Sequence, residues 1–290
     1  MRPGAKTKTK VWTVEGEQLR VRPDNLATEE PLEIRLLAGG IRRTIAVTMR
    51  TPGADFELAA GFLFSEGIIS NRQDIHRITY CVDADLGVEQ RYNIVNVELS
   101  HTALPDLANF DRHFAINSAC GVCGKASLEA LQIQGCSPLR PGPAIDPQLL
   151  YSLPDRLRTE QSLFAITGGL HAAALFDLTE KSNAVAPLQV LREDIGRHNA
   201  VDKLIGWALL NQQSPLNHYV MLISGRAGFE IMQKALMAGI PIVCAVSAPS
   251  SLAVQLAREF GITLVGFLRG ERFNVYAGIE RLNGLHPDHP

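Results

Sequence analysis

From His171 to Phe267 the chain repeats one unit, a short apolar run followed by a stretch of helical periodicity, and few architectures accept that rhythm. Residues 171–176 and 188–191 read as strands, and a helix follows over about 196–210. Residues 219–223 form a continuous apolar strand, with a helical pattern over 229–237. Residues 240–246 and 251–260 repeat strand and helix, and 262–267 closes the series. Alternation of this kind predicts an α/β domain, a mostly parallel sheet between two layers of helices.

Upstream the pattern changes. Leu32, Ile34 and Leu36 alternate with polar residues, Gly39-Gly40 offers a turn, and Ile45, Val47 and Met49 alternate again, which predicts a hairpin. Phe56, Ala59, Ala60 and Leu63 fall at helical spacing behind Pro52. Further alternating runs follow at Ile78, Tyr80 and Val82 and at Val95, Val97 and Leu99. Strands in succession with one helix predict a smaller α+β domain. Between the halves, residues 137–147 hold Pro138, Pro141, Gly142, Pro143 and Pro147 and read as a linker. The expected division is therefore 1–140 and 141–290.

Composition excludes several classes. Hydrophobic residues make up 46% of the 290, enough to bury a sizeable core, and the formal net charge of −2 lacks the basic surplus of a nucleic-acid binder. No run approaches the roughly 20 apolar residues of a membrane span. The basic stretch 1–10 has no secretory apolar region, and Arg42-Arg43 lies inside a strand-like segment. Cys81, Cys120, Cys123, Cys136 and Cys244 are too few and too scattered for a disulfide framework, so reduced thiols in a cytoplasm are expected, with no membrane partner.

Odd polar residues gather where strands end, and ligands of open α/β sheets sit beyond the carboxyl ends of the strands. Ser224-Gly225-Arg226 follows one strand and Ser247-Ala248-Pro249-Ser250-Ser251 another. Glu193-Asp194-Ile195-Gly196-Arg197-His198-Asn199 precedes its own helix, and Arg269-Gly270-Glu271-Arg272 ends the last strand. Helix amino termini with Arg197, Arg226, Arg269 and Arg272 suit phosphate, and Asp194 or Glu193 suits a base or ribose edge. The implied ligand is nucleotide-like. The plainer account is that Ser and Gly cap helices while the arginines pair with surface carboxylates; four such segments together favour a shared site. His171, behind Gly168-Gly169, is either structural or close to that site.

Three chemistries compete for Ala119-Cys120-Gly121-Val122-Cys123-Gly124-Lys125. Zinc needs about four ligands, which His113, Cys120, Cys123 and Cys136 could supply. A thioredoxin-like pair normally opens a helix after the first strand of its fold, whereas this pair follows about a hundred residues of another domain. A mobile nucleophilic thiol is the third option, with glycines for freedom and Lys125 to favour the thiolate.

Taken together the motifs resemble the formate dehydrogenase accessory sulfurtransferases (FdhD/NarQ) over nearly the whole chain. The resemblance is carried by Cys120-Gly121-Val122-Cys123-Gly124, by Thr167-Gly168-Gly169-Leu170-His171-Ala172-Ala173 and by the string from Asp194 to Lys203. It continues through Ser224-Gly225-Arg226, the segment 247–251 and Gly266-Phe267-Leu268-Arg269-Gly270-Glu271-Arg272. It implies that Cys120 takes persulfide sulfur from a cysteine desulfurase, assisted or resolved by Cys123. The sulfur then goes to the molybdenum bis(molybdopterin guanine dinucleotide) cofactor, bound as substrate, before insertion into formate dehydrogenase. Phe267, Leu268, Arg269, Gly270, Glu271 and Arg272 match the family's cofactor segment. Ser224, Gly225, Arg226, His171, Asp194, Arg197 and His198 complete the expected cofactor site. GDP is an expected fragment ligand, no permanent metal is expected, and a homodimer is. The family's C-terminal domain is similar to the cytidine deaminase fold, which raises a zinc hydrolase as an alternative. Deaminases need His-x-Glu and a later Pro-Cys-x-x-Cys, whereas His171-Ala172-Ala173 lacks the glutamate and no such cysteine pair follows. A cofactor chaperone without sulfur chemistry is the other alternative.

Overall fold

The computed structural model describes residues 4–83, 86–105, 136–139, 142–179 and 186–285. Strands β1 (Lys6–Glu15) and β2 (Gln18–Ala27) form an antiparallel ribbon, a sheet of their own that the sequence reading did not anticipate. β3 (Glu30–Ala38) and β4 (Ile41–Arg50) form the expected hairpin. A register shift between Ile34 and Arg35 changes the phase of β4. Ile45 and Ala46 are both buried, while Val47 and Met49 face solvent.

Helix α1 (Asp55–Ser65) follows, then β5 (Ile75–Tyr80), the short α2 (Val88–Arg91) and β6 (Ile94–Leu99). β5 stops at Tyr80, so Val82 projects into solvent beyond it. The four strands order as β4-β3-β6-β5, and Leu58 and Leu63 of α1 share a core with Leu32, Ile34 and Leu36.

The proline-rich stretch read as a linker ends as a helix start. Pro147 sits in the first turn of α3 (Pro147–Glu160), and the Asp146 carboxylate accepts a hydrogen bond from the Gln148 N–H at 2.9 Å. α4 (Ser162–Thr167) follows. Neither helix was legible as a strand–helix unit. β7 (His171–Asp177), β8 (Leu188–Asp194), α5 (Arg197–Leu210), β9 (Tyr219–Ile223), α6 (Phe229–Met237), β10 (Ile242–Ala245), α7 (Ser251–Phe260), β11 (Thr263–Arg269) and β12 (Arg272–Ala277) complete the order.

The six-stranded sheet runs β12-β11-β10-β9-β7-β8 and is mixed, which corrects the mostly parallel expectation. Only β9, β10 and β11 are mutually parallel, and each of these pairs is joined through a helix. β11–β12, joined by the two-residue turn Gly270-Glu271, pair antiparallel, as do β7–β8 and β7 with β9. Helices cover both faces. Ala172, Ala174 and Phe176 share a core with Leu150, Leu153 and Leu157 of α3, while Ala173 and Leu175 face the core of α5, α6 and α7. This is a three-layer α/β arrangement beside a smaller α+β one.

The second core runs without a break into the N-terminal sheet. α1 and α5 cross in backbone contact: a Cβ at Gly61 would overlap the Asp202 carbonyl, and one at Gly206 the Glu57 carbonyl. Lys234 of α6 reaches Asp202 of α5 at 2.8 Å, and Ser65 of α1 donates to the same carboxylate at 3.1 Å, a buried pin through three helices. Cys136 and Leu139 already lie against the C-terminal helices, Leu139 donating to the Phe260 carbonyl at 2.9 Å.

Candidate functional site

Topology brings the expected segments to one edge. β9, β10 and β11 point the same way, so Ser224, Ser247 and the end of β11 come together at their carboxyl ends. β7 runs opposite, which places its first residue, His171, at that edge; β8 reverses again and ends there at Asp194, the register partner of His171. The Ser224 hydroxyl accepts from the Ala172 N–H at 2.9 Å, and the Ser224 N–H donates to the Ala172 carbonyl at 2.9 Å. Gly225 leaves room for the His171 ring, whose Nδ1 would lie 3.3 Å from an added Cβ. The Ser250 N–H donates to the Ala227 carbonyl, and Phe267 N–H to the Ser247 carbonyl at 3.1 Å, which ties the three loops together.

Phe267 has φ 54°, a left-handed conformation costly for an aromatic residue. It sits in a bulge between Gly266 and Arg269. A Cβ at Gly266 would come within 2.9 Å of Pro249 and Tyr276, so the loop is packed tightly from beneath. Packing holds this strained turn at the edge, with the Phe267 side chain half-buried and Arg269, Gly270, Glu271 and Arg272 exposed.

Among the described residues Arg197, Arg226, Arg269 and Arg272 form no ion pair. Arg269 and Arg272 lie directly opposite each other across the β11–β12 turn. Like charges in that position repel unless an anion sits between them. Strands lie about 4.8 Å apart, so the edge from β7 to β11 extends about 14 Å, long enough for an elongated ligand with more than one phosphate.

Both histidines are held neutral. Burial lowers the His171 pKa, the Arg197 charge adds to this, and Asp194 opposes it. Burial brings His198 down to about 4, against the opposing pull of Glu230, whose carboxylate lies 3.0 Å from Nε2. The edge therefore offers guanidinium cations beside uncharged imidazoles.

Two expected site residues do not face the edge. Asp194 is fully buried, with Lys203 Nζ 2.6 Å away, and accepts from Thr51 N–H and Gly196 N–H at 3.1 and 2.8 Å. Its carboxylate joins the two sheets and is not available to a base or ribose. Leu268 is likewise buried, packed against the α3 face. Glu193 caps α4, accepting from Leu163 N–H and Phe164 N–H at 3.0 and 2.8 Å. Sequence reasoning missed Glu230, which has no local motif, and Lys203, which closes the string that begins at Asp194.

Cys120 and Cys123, with Lys125 and His113, lie outside the described residues. Burial raises the thiol pKa of Cys136 and of Cys244, so neither is poised as a thiolate, and Cys81 is buried. Ala173, where a deaminase would carry its glutamate, is packed in the core. No helix among the described residues is long and apolar enough to cross a membrane.

Fold and edge define an α/β protein whose strand ends gather arginines along one edge of the sheet. The FdhD/NarQ family matches residues 27–283, and the chain belongs to that family. A Streptomyces coelicolor protein named sulfur carrier protein FdhD is 51% identical over 276 residues, covering 94% of each chain. A Sulfurisphaera tokodaii protein of the same name is 44% identical over 275 residues, covering 95% of this chain and 98% of its own. A crystal structure described as a formate dehydrogenase accessory protein from Desulfotalea psychrophila superposes with TM-score 0.72 at 27% identity, covering 96% of this chain and 99% of that one.

Proposed function

We propose that this protein is a sulfur carrier in formate dehydrogenase maturation. The names of its relatives support the role, and the edge of arginines, unpaired among the described residues, supports the substrate, molybdenum bis(molybdopterin guanine dinucleotide). In this reading the Cys120 thiolate attacks the outer sulfur of a cysteine desulfurase persulfide. The donor S–S bond breaks, the donor leaves as a thiolate, and Cys120 holds the sulfur as its own persulfide. Once the cofactor is bound, attack of Cys123 on the Cys120 sulfur expels the outer sulfur as hydrosulfide and leaves a Cys120–Cys123 disulfide, so the two thiols supply both electrons. The cofactor takes that sulfur before insertion into formate dehydrogenase.

The chain's part in binding follows from the edge. Arg226, Arg269 and Arg272 meet phosphate oxygens, and Arg197 adds positive charge beside the neutral His171 and His198. The observation that carries this is Arg269 directly opposite Arg272 across the β11–β12 turn, neither of them in an ion pair among the described residues. Charge-assisted contacts of this kind are worth about 1.5–3 kcal/mol each. Arg226→Ala or Arg269→Ala should therefore weaken GDP, a fragment of the cofactor, at least about tenfold in calorimetry. Absence of GDP binding to the wild type, or unchanged affinity in both variants, rejects the site.

A further inference from the structure

A groove of about 620 Å³ runs along β8, the last strand of the six-stranded sheet, and the loop Pro52-Gly53-Ala54 forms its opposite wall. That volume is ordinary for a small-molecule site, and such sites favour seams between structural units. The loop wall is held in place. Ala54 has φ 53°, left-handed for a residue with a Cβ. The Gly53 N–H donates at 3.2 Å to Asp55, whose carboxylate is bound by the buried Arg50 at 3.0 Å. Half-buried Trp207 of α5 adds an indole to the lining.

The groove differs from the arginine edge in its charge. Lys203 is committed to Asp194 at 2.6 Å and Arg192 to Glu57 at 2.7 Å, so neither cation is left for a phosphate. The acids that remain in the lining are Glu160, exposed and in no ion pair among the described residues, and Glu193. Donors are present as well. Ser224 takes both the N–H and the carbonyl of Ala172, so Glu193, the register partner of Ala172, turns its own backbone away from β7. Leu191, two residues along the same strand, does likewise. Their N–H groups meet no acceptor among the described residues. The lining therefore suits an uncharged planar ring with its own N–H groups and acceptors.

We propose that this groove seats a pterin ring, stacked on Trp207. The placement depends on the proposed cofactor reading and extends it: phosphates lie on the arginine edge while a pterin end turns past β8 into the groove. α4 joins the two places. Its first residues, Ser162 and Leu163, line the groove, and it ends at Gly168-Gly169, just before His171 at the edge. Six helical residues rise about 9 Å, a short step for an elongated ligand. A pterin is planar and uncharged. Its amino group and ring N–H can donate to Glu160 and Glu193, and its carbonyl and ring nitrogens can accept from the Leu191 and Glu193 N–H groups. A diphosphate in the same groove would meet two carboxylates and no available cation.

The chain has two tryptophans, Trp12 and Trp207, so Trp12→Phe leaves Trp207 as the single indole reporter. Biopterin titrated into the full-length Trp12→Phe protein should quench that emission saturably. Saturating GDP should leave the biopterin curve in place, since the two occupy different sites. By calorimetry, Trp207→Leu should weaken biopterin about fivefold with GDP affinity unchanged, and Trp207→Phe, which keeps a ring, should stay within about twofold of the wild type. Glu160→Ala, an exposed change that spares the fold, should weaken biopterin about threefold. Absence of saturable quenching, displacement of biopterin by GDP, or wild-type affinity in both Trp207→Leu and Glu160→Ala overturns the proposal. GDP binding that persists in those outcomes leaves the arginine edge standing, which separates failure here from failure of the functional reading.

Discussion

His198 illustrates how single residues at the edge are set by what lies behind them. It stands in the first turn of α5, mostly buried, with Glu230 of the next helix 3.0 Å from Nε2. A neutral imidazole donates Nε2–H to that carboxylate and leaves Nδ1 as an acceptor. Its folded pKa of about 4 lies below the unfolded value of about 6.5, so between these limits the unfolded chain binds a proton that the folded chain refuses. Stability should therefore rise as pH increases from about 4 to 6.5 and then level with respect to this group. His198→Gln should flatten the rise in denaturant midpoints measured across that window; an unchanged slope places the pH dependence elsewhere. Asp194 teaches the converse. Its place in a polar string read as ligand contact, but the buried Lys203 ammonium and two backbone N–H groups claim its oxygens. Sequence shows residue type and spacing; it does not show that a long-range partner such as Thr51 has already satisfied a carboxylate.

At the scale of elements, the C-terminal strands and helices were legible because fully buried strands write themselves as apolar runs. Tyr219–Ile223, Phe229–Met237 and Ser251–Phe260 fall where the pattern put them. What escaped was set by tertiary context. β12 alternates weakly, and its pairing with β11 depends on the Gly270 turn, φ 53°. The ribbon keeps its apolar face in solvent, so no burial pattern announced it. α3 hid behind the prolines that open it. The crossing of α1 on α5 was also invisible, since Gly61 and Gly206 lie far apart in the chain and only contact reveals their need for one another. Gly206→Ala must push the helices apart and should cost about 1–3 kcal/mol, read as a lower denaturation midpoint at unchanged slope. A variant as stable as the wild type means the crossing is looser than this.

The molecule as a whole joins a cationic edge to two sheets locked by a shared core. The edge was partly legible: the four arginine-bearing segments converge as the strand-end rule requires, because β7 and β8 reverse in step with β9. The sense of the sheet was not, since short hairpins and helical crossovers differ only in connection length. Sulfur transfer itself rests on the Cys120 loop. The decisive measurement is intact-protein mass after incubation with a cysteine desulfurase and cysteine, taken for the wild type, Cys120→Ala and Cys123→Ala. The account predicts a gain of about 32 Da, one sulfur atom, on the wild type and on Cys123→Ala, none on Cys120→Ala, and its reversal by reductant. The same gain on Cys120→Ala, or none on the wild type, would contradict it.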